Sequence, residues 1–159
     1  MDTPSDISAW IDKLAIEETI IRYSDAATRG AWDEFEALWT RDAVWEVASP
    51  VDGRVVGARA IRESVISSLE GEDFLVQMTH GSVINLHSET HASATTTIHA
   101  IARRQGEHDV ANYGIYYDEL AKVDGVWKFA QRRLQPIYSD FSPLPGIAPI
   151  SRDELAELR

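Results

Sequence analysis

Four successive stretches, FLVQMTHGSVINL (74–86), HASATTTIHAIARR (91–104), DVANYGIYYDELAK (109–122) and VWKFAQRRLQPIY (126–138), are rich in β-branched and aromatic residues and decide the fold. The gaps between them are short and polar. Val123-Asp124-Gly125 carries the Asp-Gly pair that tight hairpins favour, because both central residues adopt positive φ; Gln105-Gly106-Glu107 supplies a second turn. Connections this short can join only antiparallel neighbours, so four long antiparallel strands follow.

Upstream the periodicity changes. Ile7, Trp10, Ile11, Leu14 and Ile21 recur at three- to four-residue spacing after the capping residues Thr3-Pro4-Ser5-Asp6, which predicts a helix from about residue 6 to 28 with those residues as its apolar stripe. Arg29-Gly30 ends it. Residues 32–38 read as a short second helix, 43–47 and 54–56 as a hairpin turned by Pro50-Val51-Asp52-Gly53, and 58–69 as a third helix stopped by Gly71. Pro143, Pro145 and Pro149 forbid regular structure downstream, and Ser151-Arg152-Asp153-Glu154 forms a capping box that opens a short tail helix. Helices first and an antiparallel meander after them give an α+β class: one domain over residues 1–159, with 139–159 as a proline-rich tail.

The composition narrows the function. The chain has 159 residues, 44% of them hydrophobic and 26% charged, which suits one packed core. Its 26 acidic against 15 basic side chains give a net charge of −11, which repels phosphate backbones, so nucleic acid is not an expected partner. Without cysteine there is no thiolate nucleophile, thiolate metal ligand or disulfide. The acidic start MDTPSD and the lack of a long apolar run predict a soluble, cytoplasmic chain without a membrane partner. His87, His91, His99 and His108 stand at no metal-ligand spacing, and neither a phosphate-binding glycine loop nor a nucleophile elbow occurs, so no metal or cofactor is expected.

Strand alternation sorts the remaining candidates by face. Met78, His80, Ser82 and Ile84 share one side of their strand, Ala92, Ala94, Thr96, Ile98 and Ala100 one side of the next, and Asn112, Gly114, Tyr116 and Asp118 one side of the third. Arg132, Leu134 and Pro136 share one side of the last. The small residues among them suit a concave interior. The other side carries Tyr113, Ile115, Tyr117, Trp127 and Phe129, and a sheet apolar on both faces buries both, which predicts a homodimer or homotrimer; a bulge that returns some of these aromatics to the core is the alternative.

Leu14-Ala15-Ile16 ahead of Tyr23, Trp32-Asp33-Glu34-Phe35, Asp42-Ala43-Val44-Trp45, Thr79-His80 and Asp124-Gly125-Val126-Trp127-Lys128-Phe129 together resemble the SnoaL-like family across about residues 8–138. The resemblance implies the cone-shaped fold of nuclear transport factor two, scytalone dehydratase, ketosteroid isomerase and limonene epoxide hydrolase. Gly125 to Phe129, Arg132 and Ser142-Pro143-Leu144-Pro145-Gly146 are similar to hexachlorocyclohexane dehydrochlorinase. In such enzymes a histidine paired with an aspartate removes a proton and an arginine receives the departing anion. By that resemblance His80 is the base and Arg132 the anion stabiliser, but Thr28 occupies the aspartate's place. Tyr23 replaces a lysine and becomes a hydrogen-bonding helper, and Asp25, one turn before Thr28, is the nearest substitute acid. Thr28, Trp45, Met78, Thr96, Ile98, Asn112, Tyr116 and Leu134 would line the pocket for a small hydrophobic molecule.

The expectation is therefore a cofactor-independent lyase acting by proton abstraction on a small cyclic or aromatic substrate. An isomerase or epoxide-hydrolase-like enzyme, or a small-ligand-binding protein without turnover, is the alternative. Each candidate also has a plain structural reading: His80 as a satisfied core histidine, Arg132 in an ion pair with Asp118 or Asp25, and Tyr23 and Tyr116 as core aromatics.

Overall fold

A computed structural model describes residues 7–104 and 109–158; the capping residues 3–6, the turn at 105–107 and His108 lie outside them. The elements are α1 (Ile7–Arg29), α2 (Trp32–Ala37), β1 (Trp39–Val47), β2 (Gly53–Val56), α3 (Ala58–Ser68), β3 (Glu72–Leu86), β4 (His91–Arg104), β5 (Asp109–Val123), β6 (Val126–Asp140) and α4 (Arg152–Glu157). They build an α+β fold with one six-stranded sheet in the order β2-β1-β6-β5-β4-β3, curved but not closed. Every pairing is antiparallel except β1 with β6, so the meander of β3 to β6 is extended on one side by the early hairpin. Among the described residues no helix is long and apolar enough to cross a membrane.

Helix α1 lies in the hollow of the sheet against β3 and β6. Its buried face is Ile16, Thr19, Ile20, Tyr23, Ser24, Ala26 and Ala27. The stripe expected to be buried, Ile7, Trp10, Ile11, Leu14 and Ile21, is exposed instead, with Ile7 at 77% and Leu14 at 69%. Both faces have helical periodicity, and the inner one is disguised by Thr19 and Ser24, so spacing alone favours the wrong face. Ile16, Ile20, Phe35, Ile61, Leu120 and Phe129 fill the core, each worth roughly 1.5–3 kcal/mol of burial. Toward its N-terminal end α1 is pinned to the β5–β6 hairpin by Asp12, whose Oδ1 accepts from Trp127 Nε1 at 2.8 Å and from Lys122 Nζ at 2.6 Å.

Two of the sheet's bulges decide which candidate residues face inward. In β3, Thr79 pairs with Ile98 and Ser82 with Thr96, so His80 and Gly81 together oppose one residue of β4. Gly81 takes φ of +68°, the left-handed conformation glycine tolerates best. Before the bulge the inward residues are therefore Gln77 and Thr79, after it Ser82 and Ile84; Met78 pairs with His99 on the outer side. The second bulge sets Glu119 opposite Gln131 but Leu120 opposite Phe129, which turns Trp127 and Phe129 into the core at 3% and 0% exposure. The outer face keeps Tyr113 and Tyr117, both exposed.

After β6 the chain folds back across the ends of β3 and β4. Arg103, paired with Asp73 at 3.0 Å, donates through Nη1 to the carbonyls of Leu144 and Gly146. Arg152 Nη1 donates to Leu69 O at 3.0 Å, and Ser151 and Glu154 form the expected capping box of α4.

Candidate active site

The floor of the hollow is built by β5, β6, β1 and α1. Arg132 and Asp118 are register partners on adjacent strands, and both are almost wholly buried, at 1% and 2% exposure. Nη2 of Arg132 donates to Oδ2 of Asp118 at 3.2 Å; its Nε lies 3.0 Å from Oδ1 as a charge contact without hydrogen-bond alignment. Three rings enclose the guanidinium, with its carbon 4.2 Å from the centroid of Tyr23, 3.9 Å from Tyr116 and 4.3 Å from Phe129. These cation–π contacts replace part of the lost hydration of the buried charge.

One guanidinium nitrogen is left over. Among the described residues Arg132 Nη1 has no hydrogen-bond partner, and neither do the indole nitrogens of Trp39 and Trp45. Trp45 is the register partner of Arg132 on β1, and its N–H lies near enough to the Tyr23 hydroxyl to favour the phenolate slightly, without an aligned bond. Tyr23 and Tyr116 approach each other hydroxyl to hydroxyl at 3.5 Å. Burial pushes both phenols above their ordinary pKa, Tyr23 well above, so near neutrality each is a donor. Burial also pushes Asp118 up to about 6, because Arg132 recovers only part of what desolvation costs its carboxylate. An unpaired buried donor costs about 1–3 kcal/mol, so this donor-rich floor suits an acceptor-only group: a carbonyl, an oxyanion or a halide.

The wall between α1 and β3 is polar but uncharged. Ser24 Oγ and Thr79 Oγ1 are 2.6 Å apart, Gln77 Nε2 donates to Ser24 Oγ at 3.2 Å, and the backbone N–H of Gln77 donates to Thr28 Oγ1 at 3.0 Å. Beside it Ser82 and Thr96 share a hydrogen bond at 2.8 Å. Thr28 thus caps the free edge of β3 and does not orient a histidine. Elsewhere on the inner face Ala100, Asn112, Leu134 and Pro136 are only partly buried, and Asn112 Oδ1 accepts from Ser139.

The structure gathers Tyr23, Thr28, Trp45, Thr96, Ile98, Asn112, Tyr116, Arg132 and Leu134 on α1 and the inner sheet face. It leaves out three expected residues. His80 is exposed on the bulge, and Met78 is on the outer side opposite His99, because the extra residue at Gly81 reverses the parity on which both placements depended. Asp25 is exposed and held by Arg29 at 2.6 Å, which keeps its carboxyl below the usual range and turns it away from the hollow. Gln77, Thr79 and Ser24 were missed; a glycine inside a strand is the signal that locates the bulge and brings the first two inward. Among the described residues no group of three histidine, aspartate or glutamate side chains is arranged to hold a metal. A cleft of about 640 Å³ lies elsewhere, where Trp32, Leu69, Arg103, Ile150 and Arg152 meet under the C-terminal strap.

Residues 9–133 match the family model described as a SnoaL-like domain. The chain belongs to the SnoaL-like family. Its fold is similar to that of a provisionally named scytalone dehydratase from Novosphingobium aromaticivorans, with 26% identity, a TM-score of 0.77 and coverage of 90% of this chain and 95% of that one. It is also similar to hexachlorocyclohexane dehydrochlorinase type 2, at 16% identity and a TM-score of 0.81 over 91% and 98% of the two chains. The type 3 dehydrochlorinase from Novosphingobium barchaimii matches at 19% identity and a TM-score of 0.78 over 92% and 99%. No curated protein sequence matches significantly. The SnoaL-like family includes dehydratases and dehydrochlorinases.

Proposed function

We propose that this SnoaL-like protein is a cofactor-independent lyase that removes a proton and an electronegative leaving group from a small hydrophobic cyclic or aromatic substrate. One observation carries the reading: a buried arginine, ringed by Tyr23, Tyr116 and Phe129, has in Nη1 a donor nitrogen without a hydrogen-bond partner among the described residues. Arg132 receives the anion as its bond to carbon breaks, and the Tyr23 phenol donates to the same developing charge. Such donors in a dry site are typically worth about 2.7–4 kcal/mol each to the rate.

An elimination of this kind also needs a base. The resemblance gives that role to His80, but the side chain sits on the exposed side of the bulge. The test is product formation from a panel of halogenated and hydroxylated alicyclic and aromatic compounds by the wild type, Arg132→Lys and His80→Ala. Arg132→Lys should lower turnover by about a hundredfold or more, since an ammonium cannot reproduce the planar fork. Full activity in Arg132→Lys removes the anion-stabilising role; full activity in His80→Ala removes the histidine from the mechanism.

A second reading, ligand binding without turnover, is favoured by the neutral Ser24–Thr79 and Thr28–Gln77 hydrogen bonds at the place of a charged dyad. It predicts compounds from the same panel that raise the melting temperature and are recovered unchanged.

A further inference from the structure

We infer that Asp118 is a positioning residue for Arg132 and takes up one proton whenever an anion binds against that guanidinium. The inference rests on the proposed role of Arg132 as an anion site.

In the resting floor the two charges cancel. The side chain of Asp118 is 0% exposed and that of Arg132 1%, at a Nε–Oδ1 separation of 3.0 Å. Among the described residues, those around the pair supply no second cation. From β5 come Tyr116 and Glu119, the latter exposed, and Glu119 makes ionisation of Asp118 harder. From α1 comes Tyr23, and from β6 Phe129. Opposite Asp118 β4 presents Ala94, beyond it β3 presents Ile84, and β1 presents Trp45 opposite Arg132; none of these titrates.

An anion entering beside Arg132 Nη1 would leave two negative charges against one positive charge in a dehydrated site. An uncompensated ion there has lost its hydration with nothing to replace it. Protonating Asp118 removes that excess while Nη2 can still donate to the carboxyl carbonyl oxygen. The carboxyl already titrates at about 6, so the proton is within reach near neutrality. An elimination supplies both parts: a base takes the C–H proton and passes it to solvent, the C–H electron pair becomes the new π bond, the leaving group departs with the C–X pair, and Asp118 takes up one proton from solvent. With the anion on Arg132 and a proton on Asp118, the net charge of the floor is unchanged.

The test titrates the full chain with sodium bromide at constant ionic strength from about pH 5 to about pH 8, read by tryptophan fluorescence. Calorimetry in two buffers of different ionisation heat counts the protons taken up. Bromide affinity should be level below about pH 6 and fall roughly tenfold per pH unit above it, with close to one proton taken up per bromide at about pH 7.5. Asp118→Asn should bind bromide at least as tightly as the wild type at low pH, without that slope. Equal wild-type affinity at both ends of the range, or the same slope in Asp118→Asn, overturns the inference while leaving Arg132 as an anion site. No bromide binding by the wild type at about pH 5 overturns both. If Asp118→Asn does not fold, the wild-type slope and proton count decide alone.

Discussion

Replacing Arg132 by Leu should destabilise the protein strongly, and by an amount that depends on pH in a defined direction. The substitution leaves Asp118, with no exposed side-chain surface, as an uncompensated charge, and it removes the cation from three aromatic rings. Breaking a buried pair from one side costs about 3–5 kcal/mol, equivalent to roughly 6–20 °C in Tm for a chain of this size. The sign with pH follows from Asp118. Its folded-state pKa of about 6 exceeds the ordinary aspartate value of 3.8, so the native state binds the extra proton between those values and stability falls as pH rises through that window. Without Arg132 the carboxyl is pushed higher still, and the decline, about 1.4 kcal/mol per pH unit, continues past the point where the wild type levels off. Arg132→Leu should therefore lose less relative to wild type at about pH 5 than at about pH 8. The double variant Arg132→Leu, Asp118→Leu should regain most of the loss and show none of this dependence. Urea unfolding of the three proteins across that range measures it. A loss that is the same at every pH, or a double variant less stable than Arg132→Leu, would refute the buried-pair reasoning.

Gly114→Ala should cost about 1–3 kcal/mol in chemical denaturation, because a Cβ there would stand 2.8 Å from the carbonyl oxygen of Gln135 and 2.9 Å from Leu134 Cδ1. Asp12→Ala should lower stability by about 1–3 kcal/mol at neutral pH, since it strips the acceptor from Trp127 Nε1 and Lys122 Nζ. The Lys122 bond holds the Asp12 carboxyl below its ordinary value, so this contribution is present above about pH 4 and disappears as the pH falls through the lowered value; acid titration of Tm in wild type and variant checks it. The exposed outer-face residues Tyr113 and Tyr117 predict assembly of two or three copies through the sheet, and light scattering should show that mass in the wild type and the monomer mass in Tyr117→Asp.

Much of the fold was legible because long strands with short polar gaps leave few ways to connect them, and Asp-Gly at 124–125 fixes one hairpin outright. The interior of β4 was legible for the same reason: Ala92, Ala94, Thr96 and Ile98 alternate without interruption. Arg132 and Asp118 share the inner face because their separation across the hairpin keeps parity between Glu119 and Tyr116. What failed was parity beyond a bulge. One extra residue at Gly81 turned His80 and Met78 outward and Gln77 and Thr79 inward, and another before Gln131 returned Trp127 and Phe129 to the core. The orientation of α1 failed because a helix apolar on two faces does not announce which one packs. Asp25 was misplaced for a simpler cause that its spacing does show, the i,i+4 partner Arg29, whose pull competes with any partner across the hollow.

If an anion is held at Nη1 of Arg132, a heavy halide should be visible there. The measurement uses crystals soaked in sodium bromide near pH 5, with data collected at the bromine absorption edge. An anomalous peak is expected within hydrogen-bonding distance of Arg132 Nη1, beside Tyr23 and Trp45. Bromide only at surface positions, with Nη1 satisfied by a protein acceptor or an ordered water, would contradict it.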